Sequence, residues 1–146
     1  MRAVRKHAKD QWIVFYIERW LSAPAQEEGG QLVAREKGTP QGGVISPLLA
    51  NLFLHYAFDR WMATQYRQLP FEHFADDAIV HCRTEQQAEE VRAAIAARLG
   101  ECGLELHPAK TKIVYCKDDD RRSTYGSEKF DFLGYTFRPR RSMKRV

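Results

Sequence analysis

The run GVISPLLANLFLHYAFDRWM, residues 43–62, constrains this chain more than any other stretch. Leu48, Leu49, Leu52, Phe53, Tyr56, Phe58 and Trp61 leave little polar face on a helix, and a helix apolar nearly all round is expected to be buried. Ser46 is placed as its N-cap and Pro47 as its first residue, where a missing N–H costs nothing. A glycine-rich loop, Gly38 to Gly43, feeds that helix start.

The remaining segments group around it. From Gln11 to Leu21, Ile13, Tyr16, Ile17, Trp20 and Leu21 recur at helical spacing, and SAP at 22–24 ends the run. AQEEGGQLVAREKG reads as an exposed hairpin or loop about Gly29 and Gly30. The apolar runs FEHFA and AIVHC, joined by Asp76 and Asp77, have the pattern of a tight hairpin, Asp being tolerant of unusual turn dihedrals. Thr84 and Gln87 form a capping box for a helix with Ala88, Val91, Ile95, Leu99 and Cys102 on one face and Gly103 just past its end. LEL and KIVYC flank the turn HPAKT, a polar loop follows, and KFDFLGYTFRP closes with a strand or hairpin.

Helix, hairpin, helix and strands in that order predict a single α+β domain, the later part of a ferredoxin-like split sheet. The first strand, central in such a sheet, is missing from this reading, which would leave a gap or invite a partner strand or self-association. No apolar run approaches the ~18 residues that span a bilayer, and no apolar signal core follows Met1, so the expected setting is intracellular and cytoplasmic. Cys82, Cys102 and Cys116 are odd in number and widely spaced, fitting neither a disulfide framework nor a metal motif, and are expected as small buried hydrophobes. His55, His73 and His81 lack metal-ligand spacing and are expected to be satisfied structural histidines.

Net charge is +4, with the excess at the ends: Arg2, Arg5, Lys6 and Lys9, then Arg138, Arg140, Arg141, Lys144 and Arg145. Either a polyanionic partner or merely solvated ends accounts for that. Two carboxylates about 4 Å apart near a core would repel by up to ~4 kcal/mol at an effective dielectric of 20. A hard dication such as Mg²⁺, held by one or two carboxylates and substrate phosphates, resolves the conflict. The plain alternative is a polar turn. GTPQGG offers Gly38, Gly42 and Gly43 for close backbone approach and Gln41 as an amide, ahead of a helix N-terminus that favours anions. It is neither a Walker loop nor GxGxxG, and the plain alternative is a turn-rich connector.

In chain order these segments resemble the palm of reverse transcriptases, most closely the kind encoded by group II introns. GTPQGGVISPLLANLFL is similar to that family's loop-and-helix motif; FADD at 74–77 resembles the motif usually written YADD; GLELHPAKTKIV and FDFLGYTF resemble the two that follow, and YIERWLSAP also fits. The resemblance implies an RNA-directed DNA polymerase acting on an RNA template, a DNA primer and dNTPs with Mg²⁺. Asp76 and Asp77 would be the metal and catalytic carboxylates. Pro40, Gln41, Gly42, Gly43 and Phe74 would contact nucleotide and template, with Phe74 lacking the tyrosine hydroxyl. Lys110 would act near the leaving pyrophosphate, or is a solvated turn lysine. FLGY would support the primer end.

The family's third carboxylate belongs to an FDxI-like strand expected before MRAVRKH, and fingers and thumb are likewise not seen. The expectation is a palm fragment that does not polymerise alone. Two rival readings are a non-enzymatic, maturase-like piece that binds intron RNA, and a truncated remnant.

Overall fold

The computed structural model describes residues 1–26, 29–34, 38–39, 42–117 and 125–140. They fall into two compact units, Met1–Gln65 and Tyr66–Val146.

The first unit opens with α1 (Arg2–His7) and α2 (Gln11–Ser22). Asp10 starts α2, its carboxylate accepting from the Trp12 N–H at 2.9 Å, which satisfies one of the donors a helix start leaves open. Val4, Ile17 and Leu49 form the core here, with Val14, Leu21, Ile45 and Leu52 partly buried against them. Of the face predicted to turn inward on α2, Ile17 and Leu21 do so, but Ile13, Tyr16 and Trp20 are exposed beside Trp12, itself 68% exposed. The reason is that α2 is apolar on two sides, so its spacing cannot select which one packs. At 100° per residue Val14, Ile17 and Leu21 share an arc of about 60°, and the aromatics shield one another instead, Trp12 against Phe15 at 6.3 Å and Phe15 against Tyr16 at 5.8 Å.

A paired prediction follows from this split. Ile17→Ala should lower the unfolding free energy by about 2–5 kcal/mol through the cavity it leaves. Trp12→Gln should change it by no more than about 0.5 kcal/mol. Urea titration followed by circular dichroism measures both, and equal losses would contradict the assignment of faces.

The predicted hairpin at the glycine pair is present: β1 (Ala25–Gln26) and β2 (Leu32–Val33) are antiparallel, with Ala25 opposite Val33. The long apolar run forms α3 (Ser46–Leu54), a π-helical turn (His55–Asp59) and α4 (Arg60–Gln65). Its start differs from the sequence reading by one position. Ile45 is the N-cap, no side chain caps the end, and Pro47 is in the first turn behind Ser46; the Ser46 N–H donates back to the Gly43 carbonyl at 3.1 Å. Nor is the run buried throughout: Leu49, Ala57, Phe58 and Met62 are buried, while Leu48 and Phe53 are exposed. The π turn, in which the Arg60 N–H reaches back to the His55 carbonyl, inserts an extra residue and shifts the apolar stripe around the axis.

The second unit holds β3 (Phe71–Phe74), β4 (Asp77–Val80), α5 (Glu85–Glu101), β5 (Phe130–Phe132) and β6 (Tyr135–Phe137). On α5 the Thr84 hydroxyl accepts from the Gln87 N–H at 3.1 Å. The Gln87 amide oxygen accepts from Arg83 rather than from the cap residue. Val91 and Leu99 are the buried positions, and Gly103, at φ 74°, ends the helix with the Leu104 N–H returning to the Leu99 carbonyl, a Schellman closure. The HPAKT turn forms, with the Lys110 N–H on the His107 carbonyl at 3.1 Å. LEL and KIVYC, however, carry no strand among the described residues, and the Tyr115 N–H donates to the Ser127 carbonyl at 2.8 Å.

Among the described residues the content is thus mixed helix with three two-stranded antiparallel ladders, β1–β2, β3–β4 and β5–β6. Among the described residues no helix is long and apolar enough to cross a membrane. Cys82 and Cys102 are half-buried, and burial pushes the Cys82 thiol up from its ordinary value. Cys116 is exposed, against expectation, because the segment carrying it lacks the strand that would have turned it inward.

Candidate metal and nucleotide site

The β3–β4 hairpin runs in register from Phe71 opposite Val80 to Phe74 opposite Asp77, which leaves Ala75 and Asp76 as a two-residue turn. The unusual dihedral expected of an aspartate falls on Ala75 instead, at φ 54°. Asp76 is not in the positive-φ region, so the signs are those of a type II′ turn, whose first central position ordinarily takes glycine. An L-residue there costs about 1–2 kcal/mol. His73 reaches over the turn, its Nε2 at 2.8 Å from the Ala75 carbonyl oxygen.

Asp76 and Asp77 are both exposed, not set near a core as the apolar flanks implied. In water two such charges about 4 Å apart repel by only about 1 kcal/mol, so exposure removes the conflict that burial would have posed. Neither carboxylate has a hydrogen-bond or ion-pair partner among the described residues. Oxygen donors left open in this way fit a hard cation that brings phosphate oxygens with it. They are two only: no group of three or more His, Cys, Asp or Glu side chains that could hold a metal occurs among the described residues. Phe74, 62% exposed, is directly opposite Asp77, and directly opposed residues share one face of a ladder.

The glycine loop belongs to the first unit. Gly38 and Gly42 have φ 72° and 81°, a backbone conformation that suits glycine, and a Cβ added at either meets nothing within 4 Å among the described residues. Thr39, Gly42, Gly43, Val44, Ser46, Pro47 and Ala50 line a shallow, open cleft, Val44 among them fully exposed. Pro40 and Gln41 lie outside the described residues.

Lys110 is exposed in the His107–Lys110 turn of the second unit. The histidines find ordinary partners: His81 Nε2 is 2.8 Å from Glu72 Oε2 and His55 Nδ1 is 3.4 Å from Asp59 Oδ2. At the FLGY segment β5 and β6 pair about a Leu133–Gly134 turn, with Phe130 stacked on Phe137 at 4.9 Å. Sequence reasoning missed the His73 bond to the turn and the strain at Ala75, for which a lone histidine and a lone alanine give no signal.

Comparison with known proteins agrees with the motif order. The profile of the family described as Reverse transcriptase (RNA-dependent DNA polymerase) matches residues 1–137. Protein YkfC of Escherichia coli (strain K12) is 36% identical over 66 residues, 45% of this chain and 17% of that protein. The match therefore spans less than a fifth of its relative's length. With a profile covering nearly all of its residues, the chain belongs to the reverse transcriptase family.

Proposed function

We propose that this chain is part of the palm of an RNA-directed DNA polymerase of the group II intron-encoded type, its elements taking their places in a ferredoxin-like sheet within a complete enzyme. The observation that carries the reading is the β3–β4 turn, which exposes two successive carboxylates, neither partnered among the described residues, in a chain of this family. RNA template, DNA primer and dNTP are the substrates, and Mg²⁺ is the ion.

In this reading the primer 3′ hydroxyl attacks the nucleotide α-phosphate in line and pyrophosphate leaves, so positioning and charge stabilisation supply most of the catalysis. Mg²⁺, when bound, would neutralise charge on the phosphates and on the attacking and leaving oxygens. Asp76 and Asp77 would hold it. The Gly42–Gly43 backbone and the cleft beside it would seat the nascent base pair, with Pro40, Gln41 and Phe74 against nucleotide and template. Lys110 would meet the leaving pyrophosphate, and the β5–β6 hairpin would support the primer end.

Two carboxylates alone leave the ion under-held, and we expect no synthesis by the 146-residue chain without a third ligand. Primer extension on an RNA template with the purified chain tests this: no product is expected, and product that disappears in Asp76→Asn would overturn it. A second reading is favoured by the exposed Arg2, Arg5 and Lys6 of α1: binding of intron RNA without chemistry. Its affinity would fall linearly in log salt.

A further inference from the structure

We infer that His73 is a positioning residue for the Asp76 carboxylate, acting as a latch on the peptide that joins Ala75 to Asp76; this rests on the reading of the aspartate pair as a cation site. Type I′ and II′ turns differ by a flip of the central peptide, and I′ needs positive φ at both central residues. Here that peptide is Ala75–Asp76, and the structure holds the orientation in which Ala75 alone has positive φ. Flipping it would carry Asp76 into the left-handed region, where a different set of side-chain rotamers is allowed, and so redirect its carboxylate.

Ala75 lacks the freedom of the glycine that a type II′ turn ordinarily takes at its first position, so the turn residues alone do not secure the observed orientation. The His73 side chain supplies the preference. Its Nε2 is 2.8 Å from the Ala75 oxygen, and because a carbonyl only accepts, Nε2 carries the proton. A flipped peptide would point that oxygen elsewhere and break the bond. The ladder provides the room: the residue opposite His73 is Ala78, whose methyl leaves space for the imidazole on that face. His73 is half-buried, although the bond itself lies at the exposed turn.

The latch makes no contact with the ion, so its effect appears as affinity. A net hydrogen bond of ordinary strength corresponds to about three- to tenfold in an equilibrium constant. In Mn²⁺ titrations of the full 146-residue chain with a dNTP present, read by the EPR signal of the free ion against the same dNTP without protein, His73→Ala should weaken binding by about that factor. His73→Gln, whose amide N–H reaches the same carbonyl, should restore it to within about twofold. Circular dichroism confirms that each variant folds. Parent-like affinity in His73→Ala, with binding abolished in Asp76→Asn, would overturn the latch while leaving the cation site intact. Equal losses in His73→Ala and His73→Gln would also overturn it. Unchanged affinity in Asp76→Asn would remove the cation site and the latch with it.

Discussion

Truncating Met62 to alanine is expected to cost about 2–5 kcal/mol of stability, the range for methionine cavities in well-packed sites. Met62 is the one fully buried large side chain among the described residues, at 0% exposure, and it follows the π turn on which Ala57 and Phe58 are also buried. The extra residue in that turn brings Met62 inward and leaves Trp61 half-exposed. For a chain of this length the loss corresponds to roughly 4–20 °C in melting temperature. Trp61→Ala, one position away, removes a larger side chain and should cost less. The opposite order in thermal melts would mean that the stripe had not shifted, as in an uninterrupted α-helix.

That example marks where the sequence stops being legible. Local chemistry was readable wherever one residue satisfies its neighbour: Thr84 at the start of α5 and Gly103 at its end stand where their residue types demand, and the hairpin forms about Asp76, with its strained dihedral on Ala75 instead. The first residues of α3 were readable only to within one position, because Ser46 and Ile45 both precede a proline-led turn and the serine hydroxyl makes no cap. Longer-range choices were hidden. Whether α2 packs by Ile17 or by Trp20 depends on a partner surface, and whether KIVYC becomes a strand depends on a neighbour to pair with. The site followed the same division. As candidates, Asp76, Asp77, Gly42 and Gly43 stand out by residue type, whereas the His73 bond is to a carbonyl that no pattern records.

The other large effect concerns the carboxylates. Asp76→Asn replaces a charged oxygen donor by a neutral amide of the same shape, so the fold should be kept and the ion lost. Residues that only support metal ligands cost about 10–100-fold in affinity when mutated, so removing a ligand from a pair should cost at least about tenfold. Asp77→Asn should behave alike. Because both groups are exposed on a hairpin turn, neither change leaves a buried charge unpaired, and melting temperatures should stay near the parent's. A loss of binding without a loss of stability distinguishes a cation site from a structural turn.

The most direct measurement is therefore Mn²⁺ titration of the chain and its Asp76→Asn variant in the presence of a dNTP, followed by the EPR signal of free ion. The account predicts one bound ion in the parent and at least about tenfold weaker binding in the folded variant. Equal binding by the two would contradict it and leave Asp76 and Asp77 as a solvated turn.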